Sequence, residues 1–170
     1  MAHDGQGATV QFYHVSAASP AAVDDVLPPL LSKMLDGGHR ALVLCPTSGR
    51  MMRLDDALWA FRDSSFLPHG CVGVDDDAAQ PVLLISADVE PVEDMIRAHG
   101  TARLPIVLAG AEMVLDAVLA LHVPRVCYVF SASESDVSRA RELYKTLKKQ
   151  NVKLVYWQQS ETGWKKMAEA

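Results

Sequence analysis

Two hydrophobic rhythms alternate along the chain. Continuous apolar runs rich in Val, Leu and Ile read as buried strands, and runs spaced by three and four read as helices packed by one face. Residues 8–15, 40–45, 81–86, 104–109 and 125–130 are of the first kind. Residues 152–157 are expected to close the sheet as its last strand. Between them, a helix is expected from a cap at Asp24 or Asp25 to about Leu35, with Pro28 and Pro29 in its first turn and Gly37-Gly38 ending it. Met51, Leu54, Leu58 and Phe61 mark a second helix over 51–61. Shorter helices are expected over 92–99 and 112–121, the latter apolar enough to be packed on both sides. Ser133 followed by Asp136 resembles a capping box and opens a helix to about Gln150. Residues 62–80 show no rhythm. Strands alternating with helices predict one α/β domain over 1–170, a three-layer α/β/α arrangement on a mostly parallel central sheet.

With 170 residues, 49% of them hydrophobic, the chain can bury a sizeable core. No apolar run approaches the roughly 20 residues of a membrane helix. The opening stretch lacks the basic and apolar regions of a signal peptide, so the expected location is the cytoplasm, with no membrane partner. Cys45 and Cys127 sit in apolar runs and read as reduced core residues. His69-Gly70-Cys71 offers two ligand types without a second pair at zinc spacing, so no metal is expected. Net charge is −5 and unevenly spread. Residues 1–130 hold 8 Lys/Arg against 16 Asp/Glu, whereas residues 131–170 hold 8 against 5. An acidic body argues against direct nucleic acid binding, and a basic end suits a short acidic peptide.

The stretch Cys45-Pro46-Thr47-Ser48-Gly49-Arg50 lies between an expected strand and helix, where α/β proteins often bind phosphate. It has no Lys after Gly49 and no glycine five residues before it, so it is not a Walker loop. It has one glycine, so it is not a dinucleotide fingerprint. It is one residue short of a tyrosine phosphatase loop, and Pro46 removes a backbone N–H. An ordinary strand-to-helix turn is the reading it supports. Asp55-Asp56 diverge on a helix, Asp75-Asp76-Asp77 reads as a solvated turn, and Ser131, Ser133 and Ser135 lack a nucleophile elbow. No catalytic residue and no cofactor site is expected.

Downstream of that turn, Arg53-Leu54-Asp55-Asp56-Ala57-Leu58-Trp59 is followed by Ser65-Phe66-Leu67-Pro68-His69. This pair closely resembles the chi subunit family of the bacterial DNA polymerase III holoenzyme, which carries an RLDExLW segment, a short gap and SFxPH. Phe12-Tyr13 in the first strand, RELYK at 141–145 and Trp164 after the last strand fit the same family. The likeness spans nearly the whole chain, with 87–125 matching in character only. It implies a Rossmann-like fold without a phosphate-binding loop, and a non-catalytic accessory subunit in DNA replication. It also implies two partners: the psi subunit, which links chi to the clamp loader, and the acidic C-terminal tail of single-stranded DNA-binding protein, which ends in a Phe with a free carboxylate.

The residues of the last helix meet this implication. Val137, Arg141, Tyr144, Lys145 and Lys148 share one face by three- and four-residue steps, beside an apolar stripe of Val137, Ala140, Leu143 and Leu147. An Arg fork suits a terminal carboxylate, and Lys stems with a Tyr ring can wall a Phe. Burying one Phe contributes roughly 1.5–3 kcal/mol. Each charge-assisted bond contributes about as much again, which after association costs gives micromolar-range affinity. By the resemblance, Arg141, Tyr144 and Lys145 match tail-binding positions, Lys148 stands at a basic one and Phe130 near an apolar one. Val137 replaces a basic residue a turn before Arg141. Trp59, Phe66 and Pro68 match positions around the psi contact, although Trp59 also suits core packing. Two other readings stay open: an α/β enzyme using the Cys45–Arg50 loop on a phosphate ester, and a module that brings a repair helicase to coated single strands through the same tail site.

Overall fold

The computed structural model describes residues 7–61, 67–73, 77–89 and 91–170. Eight strands form one sheet: β1 (Thr9–His14), β2 (Ala41–Cys45), β3 (His69–Cys71), β4 (Val82–Ser86), β5 (Leu104–Leu108), β6 (Arg125–Phe130), β7 (Lys153–Ser160) and β8 (Gly163–Glu169). Their spatial order is β3-β4-β2-β5-β6-β1-β7-β8, with every pair parallel except β7–β8. The helices are α1 (Pro20–Asp36), α2 (Ser48–Ala60), α3 (Val92–His99), α4 (Leu115–Leu119) and α5 (Glu134–Lys149). Alternate strand residues feed two cores. Val43, Leu84 and Ile106 pack with α1 and α2 on one face; Leu42, Leu83, Val107 and Tyr128 pack with α3, α4 and α5 on the other. That is the expected three-layer α/β/α arrangement on a mostly parallel sheet. No helix among the described residues is long and apolar enough to cross a membrane.

Several expected boundaries shift, each for a physical reason. α1 begins at Pro20, capped by Ser19, whose Oγ accepts from the Ala22 N–H. Pro20 takes the first-turn position that suits proline. Pro28 and Pro29 therefore lie inside the helix. Such prolines cost about 3 kcal/mol or more, yet burial of Val23, Leu27, Leu31 and Met34 against the sheet holds the helix together. Asp24 is not a cap; it pairs with Arg50 of α2. α2 starts three residues early because Thr47 Oγ accepts from the Arg50 N–H. The expected helix over 112–121 is a 3-10 turn, Glu112–Val114, followed by a short α4. No side chain caps its start. The Glu112 carboxylate instead accepts from the Gly110 N–H and the Tyr128 hydroxyl. Within 62–80, the described residues include β3 and a 3-10 turn at Asp77–Ala79, the turn held by Arg40 and Arg103 through its backbone carbonyls. Asp75, Asp76 and Phe66 lie outside the described residues. Finally, β7 is not the last strand: β8 folds back on it through a two-residue turn and carries Trp164.

Candidate functional site

The α5 helix is built as its sequence requires. Ser133 Oγ accepts from the Asp136 N–H, and the Asp136 carboxylate accepts from the Ser131 N–H and hydroxyl. Acidic Glu134 and Asp136 at the start and Lys148 and Lys149 at the end complement the helix dipole. Ala140 and Leu147 are buried, with Val137 and Leu143 partly so. This leaves Arg141, Lys145 and Lys148 exposed on the outer side. Lys145 lies 3.7 Å from Glu142, a solvent-exposed contact of little strength. Arg141 and Lys148 are in no ion pair among the described residues, so both cations are available.

Tyr144 is half-buried. Its ring meets Phe12 edge-on at 5.4 Å and Tyr156 at 6.4 Å, which fixes its orientation. Phe130 lies beneath, only 1% exposed, stacked on His14 at 4.7 Å. It supports the surface from below rather than forming it. Two residues that the sequence reading missed join this cluster. His14 Nδ1 and the Tyr156 hydroxyl are 2.7 Å apart, bridging β1 and β7. Burial lowers the His14 pKa and raises that of Tyr156, so the pair adds no charge of its own at neutral pH. The Arg141 guanidinium partly offsets the rise at Tyr156, placing its charge close to that hydroxyl. The surface thus combines two unpaired cations, a fixed aromatic ring and the partly apolar edge of Val137. It can hold a carboxylate beside an apolar side chain.

The two halves of the RLDDALW and SFLPH pair also meet. His69 is buried; its Nδ1 is 2.9 Å from the Leu67 carbonyl and its Nε2 is 3.1 Å from Asp55. Trp59 packs over this histidine at 4.7 Å yet is 59% exposed, so it is not a core residue. Met52, two turns earlier on α2, is also exposed, and Pro68 is half-buried. Met52 and Trp59 lie on α2, on the opposite side of the sheet from α5.

The Cys45–Arg50 turn already holds a carboxylate of the chain itself. The Ser48 N–H and hydroxyl both donate to the Asp88 carboxylate, at 3.0 and 2.8 Å, and the Ser86 hydroxyl donates to it as well. These bonds lower the Asp88 pKa, Ser86 contributing most. A carboxylate of the chain itself therefore occupies the N-terminus of α2. Arg50 lines the cavity beside the turn with Pro46 and Thr47, but its charge is taken: its Nη1 is 2.7 Å from Asp24, an ion pair between two nearly buried groups. Cys45 is fully buried, and burial pushes its thiol pKa up to about 12. A protonated, inaccessible thiol is no nucleophile. Cys127 is likewise free and buried. Among the described residues no group of three His, Cys, Asp or Glu could hold a metal.

Comparison with known proteins decides the family. Residues 8–155 match the family model described as DNA polymerase III chi subunit. The chain belongs to this family. It is 33% identical over 75 residues to a DNA polymerase III subunit chi of Pseudomonas aeruginosa, a match covering 44% of this chain and 51% of that one. It is 32% identical over 62 residues to the Escherichia coli K12 subunit of the same name, covering 36% and 42%. The matched segments thus span about half the length, or less, of these curated relatives. A solved structure from Pyrococcus horikoshii OT3 superposes with a TM-score of 0.47 at 12% identity, over 95% of this chain and 85% of that one.

Proposed function

We propose that this chain is a non-catalytic adaptor of the replicative polymerase, holding the acidic C-terminal tail of single-stranded DNA-binding protein on α5 and a clamp-loader partner of the psi type on the Trp59 edge. The observation that carries this reading is the outer face of α5. Arg141 and Lys148 are exposed, and in no ion pair among the described residues, beside a Tyr144 ring locked by Phe12 and Tyr156. Arg141 takes the terminal carboxylate, Lys145 and Lys148 attract the acidic residues before it, and Tyr144 with Val137 walls the terminal Phe. Phe130 and the His14–Tyr156 pair keep that floor rigid. Exposed Trp59, with Pro68 and Met52 nearby, supplies the apolar anchor of the second contact, and Phe66 is assigned there by family resemblance. A repair helicase could use the same edge in place of psi. Asp88 on the Ser48 N–H, Asp24 on Arg50 and the burial of Cys45 weigh against the phosphate-ester reading.

The test is a titration of a fluorescent tail peptide into the full chain at two salt concentrations. Binding should be micromolar and weaken with salt. It should need the terminal Phe and fall at least tenfold in Arg141→Ala. Equal binding by wild type and Arg141→Ala would overturn the assignment of the site.

A further inference from the structure

On the opposite face from α5, α1 does not cover the end of the sheet. A groove of about 860 Å³ runs between α1 and the β1–β7–β8 surface. Half-buried Trp157 and Trp164 form its floor over the buried Tyr13, and Val26, Pro29 and Leu30 of α1 form its wall. Tyr13 and Trp157 lie nearly parallel, 11° apart at 6.4 Å, and Trp164 meets Tyr13 edge-on at 5.1 Å. The polar handles are already satisfied inside: the Tyr13 hydroxyl and the Trp157 indole N–H both donate to Gln11. What the groove offers is therefore ring surface. A crossover helix runs antiparallel to its strands, so the C-terminal end of α1 lies at the start of β6. Lys33 and His39 thereby share one end of the groove with Arg125, and Asp25 marks the other. Among the described residues neither Lys33 nor Arg125 is in an ion pair.

We propose that this groove is a second peptide-docking site, independent of α5, for an acidic segment carrying one or two aromatic or aliphatic side chains. The apolar side chains lie on Trp157 and Trp164, which the buried Tyr13 ring supports from below. The carboxylates lie at the Lys33–Arg125 end, and Lys166, whose Nζ is 5.6 Å from the centre of the Trp157 ring, is a further cation beside the rings. A single nucleic acid strand also favours aromatic rings beside cations, but it needs cations along its whole track. Here the cations are few, Lys33 and Arg125 at one end and Lys166 over Trp157, with Asp25 at the other end, on a chain of net charge −5.

The probe is a short peptide of aspartates with one Phe and one Leu, acetylated and amidated, so that it lacks the terminal carboxylate that α5 is proposed to take. It is titrated into 15N-labelled full-length protein while the indole N–H signals of Trp157, Trp164 and Trp59 are followed. The two groove indoles should shift and Trp59 should not. Affinity should fall about tenfold in Arg125→Ala and in Lys33→Ala, recover in Arg125→Lys, and stay unchanged in Arg141→Ala. No saturable shift of the groove indoles would overturn the proposal, as would shifts that vanish in Arg141→Ala. A thymidine oligonucleotide that moves these indoles where the peptide does not would overturn the peptide assignment. Because only the α5 reading depends on Arg141, the two proposals fail separately.

Discussion

Removing Arg50 tests whether the arginine after the β2 turn ties the fold together or waits for an anion. Its guanidinium is 2.7 Å from Asp24, with side-chain exposures of 10% and 13%. Arg50→Ala leaves the Asp24 carboxylate without its partner in a site where burial already raises its pKa. Breaking a fully buried pair costs about 3–5 kcal/mol, so this rim-accessible one should cost about 2–3 kcal/mol at pH 7. For a domain of this size that lowers Tm by about 5–10 °C. The loss depends on pH in a defined direction. Without Arg50, the folded-state pKa of Asp24 rises further above its unfolded value. The stability of the protonated form is then complete below about pH 4 and is lost as pH rises through the folded-state pKa. The gap between wild type and Arg50→Ala should therefore narrow on acidification. Thermal melts of wild type, Arg50→Ala, Asp24→Asn and the double variant, at neutral and acid pH, close the cycle. An Arg50→Ala protein as stable as wild type at pH 7 would refute this reasoning and return the turn to the list of anion sites.

The remaining predictions concern the same turn and its thiol. Asp88→Asn should lower Tm at neutral pH. Because hydrogen bonds depress the Asp88 pKa, its contribution is complete above the ordinary carboxylate range and lost as pH falls through the depressed value, so the two proteins should converge in acid. A flat difference across pH would contradict this. In the folded protein, a charged thiol reagent at pH 8 should modify Cys71 alone, with Cys45 and Cys127 reacting only after denaturation. Rapid labelling of Cys45 without unfolding would show that the β2 turn opens.

What the sequence reveals divides along physical lines. The central strands were legible because runs such as Ala41–Cys45 and Arg125–Phe130 are buried on both faces and need no alternation to be recognised. The start of α1 was misread because Pro28 and Pro29 pointed to a first turn, whereas Ser19-Pro20 held that role and sheet burial overrode the later prolines. β8 was hidden because Gly163–Glu169 is almost wholly exposed and carries no apolar rhythm. On α5, the cap, the buried stripe and the basic outer face followed from helical spacing. The floor beneath them did not: His14 and Tyr156 are 142 residues apart, and only the β1–β7 pairing joins them. Asp88 is a similar case, since no local pattern announces that its carboxylate fills the N-terminus of α2.

The central claim is that Arg141 grips a terminal carboxylate. The most direct measurement is a double-mutant cycle between Arg141→Ala and a tail peptide whose C-terminus is amidated, with dissociation constants for all four combinations. The account predicts a coupling of about 1.5–3 kcal/mol, so that amidation costs wild type at least tenfold and Arg141→Ala almost nothing. Strictly additive losses would show that Arg141 and the carboxylate do not meet, and the adaptor site would have to lie elsewhere on the chain.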